Sequence, residues 1–104
     1  MMDVSIIIVN YHTSVLIKNL LDTIYNKTEG VSFEIIVVDN HPTPQFAADL
    51  GIYMNAITYL PLAENVGFGR ANNEGVKVAK GRNIFFLNPD TLLIESVFKD
   101  AILK

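Results

Sequence analysis

The chain contains no cysteine and no tryptophan, and only four prolines and six glycines among 104 residues. Without cysteine there is no disulfide scaffold, no thiolate metal site and no cysteine nucleophile. Charged residues are scarce as well, at 18%, and their balance is mildly acidic with a formal net charge of −3. A nucleic-acid binder shows a basic face, so this balance argues against DNA or RNA as a partner. No apolar run approaches the roughly 20 residues a membrane-spanning helix needs. Asp3 stands where a secretory leader is basic, and the apolar stretch behind it is too short for a leader core. These absences leave a single cytoplasmic domain over residues 1–104, or one peripheral to the inner face of the plasma membrane, as the expectation. Hydrophobic residues are what the chain has in plenty, at 50%. A chain this short buries roughly 65% of its unfolded surface. Either its core is unusually large, or apolar surface is covered by something else.

Two periods alternate along the sequence. Val4-Ser5-Ile6-Ile7-Ile8-Val9 is a near-continuous β-branched run, which suits a strand buried on both faces. Thr13 or Ser14 can cap the helix that follows, whose apolar pairs Leu16/Ile17, Leu20/Leu21 and Ile24/Tyr25 repeat every four residues. Gly30 ends that segment, and Phe33 to Val38 reads as a second buried strand. The prolines of Asp39-Asn40-His41-Pro42-Thr43-Pro44 force a loop. A short helix is expected from Gln45 to Leu50, stopped by Gly51, then a strand from Asn55 to Leu60. A helix from Gly67 to Lys80, stopped by Gly81, leads to a strand over Asn83 to Leu87. Val97, Phe98, Ala101 and Ile102 then repeat at helical spacing. Strands alternating with helices imply an α/β unit built on a parallel sheet with right-handed crossovers.

In open α/β sheets, ligands sit beyond the C-terminal ends of the strands. Polar residues gather at those ends here: Asn10-Tyr11-His12, Asp39-Asn40, Glu64-Asn65-Val66-Gly67 and Asn88-Pro89-Asp90. Each cluster alone reads equally as turn chemistry. Their shared position at one rim is what points to a site. Two carboxylates, several amides, a phenol and a glycine-bearing helix start suit a neutral heterocycle, a ribose and a metal-chelated diphosphate. Other fingerprints fail. Gly67-Phe68-Gly69-Arg70-Ala71-Asn72 lacks the third glycine of a dinucleotide motif and follows the third strand, and no P-loop is present. His12 and His41 each stand alone in sequence, which argues against a zinc site. No serine or threonine sits in a nucleophile elbow.

Four segments in order resemble the N-terminal half of glycosyltransferase family 2 enzymes, in the rhamnosyltransferase-like branch. They are Val4 to Tyr11, Ile35 to Asn40, Asn65 to Gly75, and Phe86-Leu87-Asn88-Pro89-Asp90-Thr91. The resemblance implies a Rossmann-like three-layer α/β/α architecture with a mainly parallel sheet, the nucleotide-binding half of a GT-A fold. It also implies inverting transfer of a sugar from a UDP- or dTDP-sugar to a saccharide or lipid-linked acceptor in cell-surface polysaccharide synthesis. By the same resemblance, Tyr11 lines the base pocket and Asp39 hydrogen-bonds the base. Asn10, Asn40, Asn65, Gly67, Asn73 and Asn88 join them around the donor. Asp90 binds Mg²⁺ or Mn²⁺ at the D-x-D position, and the ion neutralises the diphosphate leaving group. Two departures stand out. His41-Pro42-Thr43-Pro44 replaces a Ser/Asp-rich stretch, and Asn88 replaces the first carboxylate, leaving the metal to rest largely on Asp90.

Family enzymes place their general base in a second half, and Glu95 and Asp100 match no base motif. The expectation is therefore a donor-binding half that is inactive alone, without a membrane span. A non-catalytic nucleotide-binding or interaction domain is the alternative. A phosphoacceptor receiver fails, because Asn10-Tyr11 stands where its acidic pair belongs. Apolar surface around the fourth strand and Phe98, Ile102 and Leu103 is expected to drive self-association.

Overall fold

The computed structural model describes residues 2–28 and 30–89. Asp90, and the tail with Glu95, Phe98, Asp100, Ile102 and Leu103, lie outside the described residues. Four parallel strands form one sheet: β1 (Val4–Asn10), β2 (Phe33–Asp39), β3 (Thr58–Pro61) and β4 (Asn83–Leu87), in the order β3-β2-β1-β4. Between them run α1 (Ser14–Lys27), α2 (Pro44–Leu50) and α3 (Phe68–Val78). The path steps one way from β1 to β3, then crosses back over β1 to reach β4. Right-handed crossovers then put α1 and α2 on one face and α3 on the other. This is the expected three-layer arrangement.

Both central strands are buried on both faces, which is why their sequences do not alternate. Ile6, Ile8, Ile35 and Val37 meet Ile17, Leu20, Leu21 and Ile24 of α1 and Phe46 and Leu50 of α2. Ile7, Val9, Ile36 and Val38 face the other way, onto Ala71 of α3. Each such aliphatic side chain stabilises the fold by roughly 1.5–3 kcal/mol on full burial. The two layers are unequal: the α1–α2 side has large side chains, whereas α3 buries only Ala71 and Gly75.

Two expectations need correction. The third strand runs over Thr58–Pro61, not Asn55 to Leu60, because Gly51–Asn55 coils into a 3-10 turn that prolongs α2. Pro61 is tolerated there because β3 pairs only with β2 among the described strands, so its missing N–H removes no ladder bond on a second side. Thr13 does occupy the N-cap position of α1, yet its side chain makes no cap bond. Its N–H and hydroxyl instead donate to Asn10 Oδ1, at 3.0 and 2.9 Å.

The N-terminal ends of the strands close on themselves. The buried Ser5 hydroxyl donates to Glu34 Oε2 at 2.5 Å. The chain entering β4 completes the lock, with Gly81 N–H on Ser5 Oγ at 2.7 Å and Lys80 N–H on Glu34 Oε2 at 2.6 Å. A Cβ on Gly81 would stand 2.4 Å from the Ser5 nitrogen, so only glycine fits.

Candidate functional site

At the opposite ends of β1 and β2 the parallel register sets Asn10 beside Asp39. Both are buried, Asp39 with no exposed surface at all. An isolated carboxylate there would be costly, and donors surround it. Oδ1 accepts from Asn10 Nδ2 at 2.8 Å and from the His41 N–H at 3.0 Å. Oδ2 accepts from the Tyr59 hydroxyl at 2.5 Å. Burial first, then the hydrogen bond and charge of Asp39, raise the Tyr59 pKa above its ordinary value, so the phenol stays a donor at neutral pH. Tyr59 is fixed in turn by stacking on Phe46, with ring centroids 5.0 Å apart. The sequence singled out Asp39 and Asn10 but gave Tyr59 no role. Only strand pairing, Val37 opposite Tyr59, brings that phenol to the carboxylate.

Asn40, also buried, reaches across to the loop before α3. Its Oδ1 accepts from the Val66 N–H at 3.3 Å and its Nδ2 donates to the Gly67 carbonyl at 3.4 Å. Asn65 Oδ1 accepts from the Gly67 N–H at 2.9 Å, closing a local turn. Gly67, at φ 87°, adopts the left-handed backbone glycine tolerates and starts α3 without a side-chain cap. The first N–H groups of α3 therefore lie at the rim without a capping partner, where a helix favours negative charge.

These loops border an open cavity of about 320 Å³ lined by Val9, Tyr11, Thr13, Asn40, Asn65, Gly67, Phe68 and Pro89. Four expected residues, Tyr11, Asn40, Asn65 and Gly67, thus share one cavity. Asn10 and Asp39 do not line it: Asn10 instead lines a second cavity with His12 and His41, and Asp39 lines neither. Asn88 is exposed at the end of β4, next to Pro89. Asn73 does not join the group. It lies on α3 about 9 Å along the axis from Gly67 and lines a separate cavity with Val66, Arg70, Glu74 and Lys77.

The two histidines, far apart in sequence, meet at the same rim. Their ring centroids are 4.1 Å apart, and Tyr11 presents itself edge-on to both, at 4.5 Å from His12 and 5.8 Å from His41. His12 has a positive φ of 59°, the one non-glycine residue to do so among those described. Among the described residues no group of three or more His, Cys, Asp or Glu converges to hold a metal ion. No described helix is long and apolar enough to cross a membrane.

The family described as glycosyl transferase family 2 matches residues 5–103. This chain belongs to that family. The family 2 chain is 30% identical over 105 residues to the minor teichoic acid biosynthesis protein GgaB of Bacillus subtilis (strain 168), covering 96% of this chain and 12% of that protein. It is 32% identical over 94 residues to a poly(ribitol-phosphate) beta-glucosyltransferase of Bacillus spizizenii, covering 86% of this chain and 15% of that one. Its fold matches S. aureus TarS 1-349 in complex with UDP-GlcNAc, with a TM-score of 0.84 and 27% identity over 98% of this chain and 30% of that one. The architecture is therefore the GT-A fold of those glycosyltransferases. The chain spans well under a third of the length of GgaB and of the glucosyltransferase it matches.

Proposed function

We propose that this family 2 chain is the donor-nucleotide half of an inverting glycosyltransferase that takes a sugar from a UDP- or dTDP-sugar. The observation that carries the reading is the cavity where Tyr11, Asn40, Asn65 and Gly67 meet the uncapped start of α3. A planar base fits against the Tyr11 ring. The α3 N–H groups suit a diphosphate oxygen, since a helix N-terminus attracts anions. Asn10, Tyr59 and the His41 N–H hold the buried Asp39 carboxylate still, and a base N–H that pairs with Asp39 has to displace one of these donors. Asn73, on its separate cavity, acts at most on the placement of α3.

Among nucleotides, uridine diphosphates are favoured, because related structures hold UDP and UDP-GlcNAc. The relatives' names, which carry teichoic acid and poly(ribitol-phosphate), support a phosphate-linked polymer as the acceptor and lend no support to the rhamnosyltransferase-like branch. A divalent cation at Asp90 belongs to this reading; when bound it neutralises charge on the leaving diphosphate. A Pyrobaculum calidifontis mannosyltransferase of the same fold was solved with Mn²⁺. Self-association through β4 remains part of the proposal, motivated by Phe86, which is 52% exposed.

The test is a titration of the ¹⁵N-labelled chain with UDP, with and without Mn²⁺. Shifts at Tyr11, Asn65 and Gly67 are expected, and CDP should produce weaker ones. A folded chain whose rim resonances stay fixed at millimolar UDP sinks the reading.

A further inference from the structure

His12 and His41 each lie two positions beyond the last paired residue of their strands, Asn10 and Asp39. The parallel register therefore carries straight on past the sheet and lays the two imidazoles side by side. Both loops are tied down independently of the rings. Asn10 Oδ1 holds Thr13 just after His12, and the His41 N–H is bound to Asp39. The rings themselves are exposed, tilted 44° to one another with centroids 4.1 Å apart. Nothing in their mutual contact explains why His12 sits at φ 59°, a conformation that costs a non-glycine residue about 1 kcal/mol or more.

We propose that His12 and His41 form a two-imidazole site for a borderline divalent ion of the Zn²⁺, Ni²⁺ or Cu²⁺ class, separate from the donor cavity. Imidazole nitrogens suit these ions, whereas Mg²⁺ takes oxygen ligands, so the site differs in chemistry from the one expected at Asp90. Two imidazoles on a tetrahedral ion, with Zn–N at about 2.0–2.1 Å, place their centroids roughly 5 Å apart. The rings need to part by about 1 Å from where they stand. Water completes the coordination, and the space for it is at hand. Both imidazoles open onto a cavity of about 340 Å³ that Ser14, Thr43 and Gln45 also line. The Ser14 hydroxyl and Gln45 Nε2 both donate to Asp49, whose carboxylate pKa is lowered, first by Ser14 and then by Gln45. That leaves the cavity wall richer in acceptors and backed by a negative charge. Such a wall stabilises the hydrogens of metal-bound water and repels an anion.

The inference does not rest on the nucleotide reading, and its test is independent of it. Zn²⁺ is titrated into the 104-residue chain at neutral pH by calorimetry, with the imidazole resonances followed by NMR. The variants are His12→Asn, which tolerates a positive φ, and His41→Gln, which keeps the N–H on Asp39. Glu74→Gln, on α3 and paired only with Lys77 at the surface, serves as the control that leaves the histidine pair intact. One Zn²⁺ per chain is expected, shifting both imidazoles, with affinity at least tenfold weaker in either histidine variant and unchanged in the control. Mg²⁺ should leave the imidazoles unmoved, and Zn²⁺ should raise the melting temperature of the parent chain and the control more than that of either histidine variant. Equal Zn²⁺ affinity in parent and histidine variants, or shifts confined to one ring, overturns the proposal.

Discussion

At the N-terminal ends of the strands, Ser5 and Glu34 are joined to each other and to the backbone of Lys80 and Gly81. At the C-terminal ends, Asn10 and Asp39 are joined to each other and to Thr13, His41 and Tyr59. Both pairs occupy matching positions in the same β1–β2 register. What differs is the chain that reaches them. Gly81 brings backbone to within a Cβ's reach of Ser5 and leaves no space. The loops at the other end also offer backbone N–H groups, from Thr13 and His41, together with the Tyr59 side chain, yet cavities of about 320 and 340 Å³ remain beside them. A polar pair closes a sheet end when the next chain packs directly on the strand, and leaves room for a site when the next chain stands off.

Gly81→Ala is the severest test of that contrast. Its Cβ would meet backbone of Val4 and Ser5 at 2.5 and 2.4 Å, so we expect a loss of about 3 kcal/mol in urea unfolding. Nucleotide affinity of the folded fraction should stay unchanged. A variant of parental stability would show that the closed end holds nothing.

Asp39→Asn probes the open end. The substitution keeps the shape but replaces one acceptor oxygen with an amide donor facing donors, and it removes a charge-assisted set of bonds. We expect about 2 kcal/mol of destabilisation together with loss of UDP-induced shifts at Tyr11. Loss of stability with UDP binding intact would make the two ends alike.

Tyr59→Phe has the smallest expected effect, about 1.5 kcal/mol, from one hydrogen bond to a carboxylate. Its signature lies in alkali. The folded state holds the Tyr59 proton above the ordinary value of 10.0, whereas the unfolded chain releases it there. The stabilisation is therefore whole below pH 10 and falls as pH rises toward the folded pKa. Denaturation midpoints measured between pH 8 and 11 should decline less steeply in the variant than in the parent. Identical slopes would remove Tyr59 from the network.

Much of the architecture was legible because burial on two faces writes itself into a strand as an unbroken β-branched run. Val4 to Val9 and Ile35 to Val38 could be little else, and their alternation with amphipathic helices fixed the parallel sheet. The third strand was displaced because its start depends on how far α2 unwinds, and Gly51 (φ 57°) begins a 3-10 turn where a stop was expected. At the site, residues at strand ends were found by position: Tyr11, Asn40, Asn65 and Gly67 meet as the strand ends predict. Asn73 was drawn in by a motif and falls elsewhere, because helical rise carries it away from the rim.

The alternation of unbroken β-branched runs with helical apolar repeats set the class of fold from sequence alone, since periodicity is a local property of a segment. Which polar groups touch is not local. Asp39 with Tyr59, Asn40 with Gly67, and His12 with His41 depend on strand order and register, which arise only when separate segments pair. The chain's sequence therefore decided what its elements are and where ligands can approach. Tertiary pairing decided which side chains meet there, because a parallel sheet aligns residues that the chain itself holds 29 positions apart.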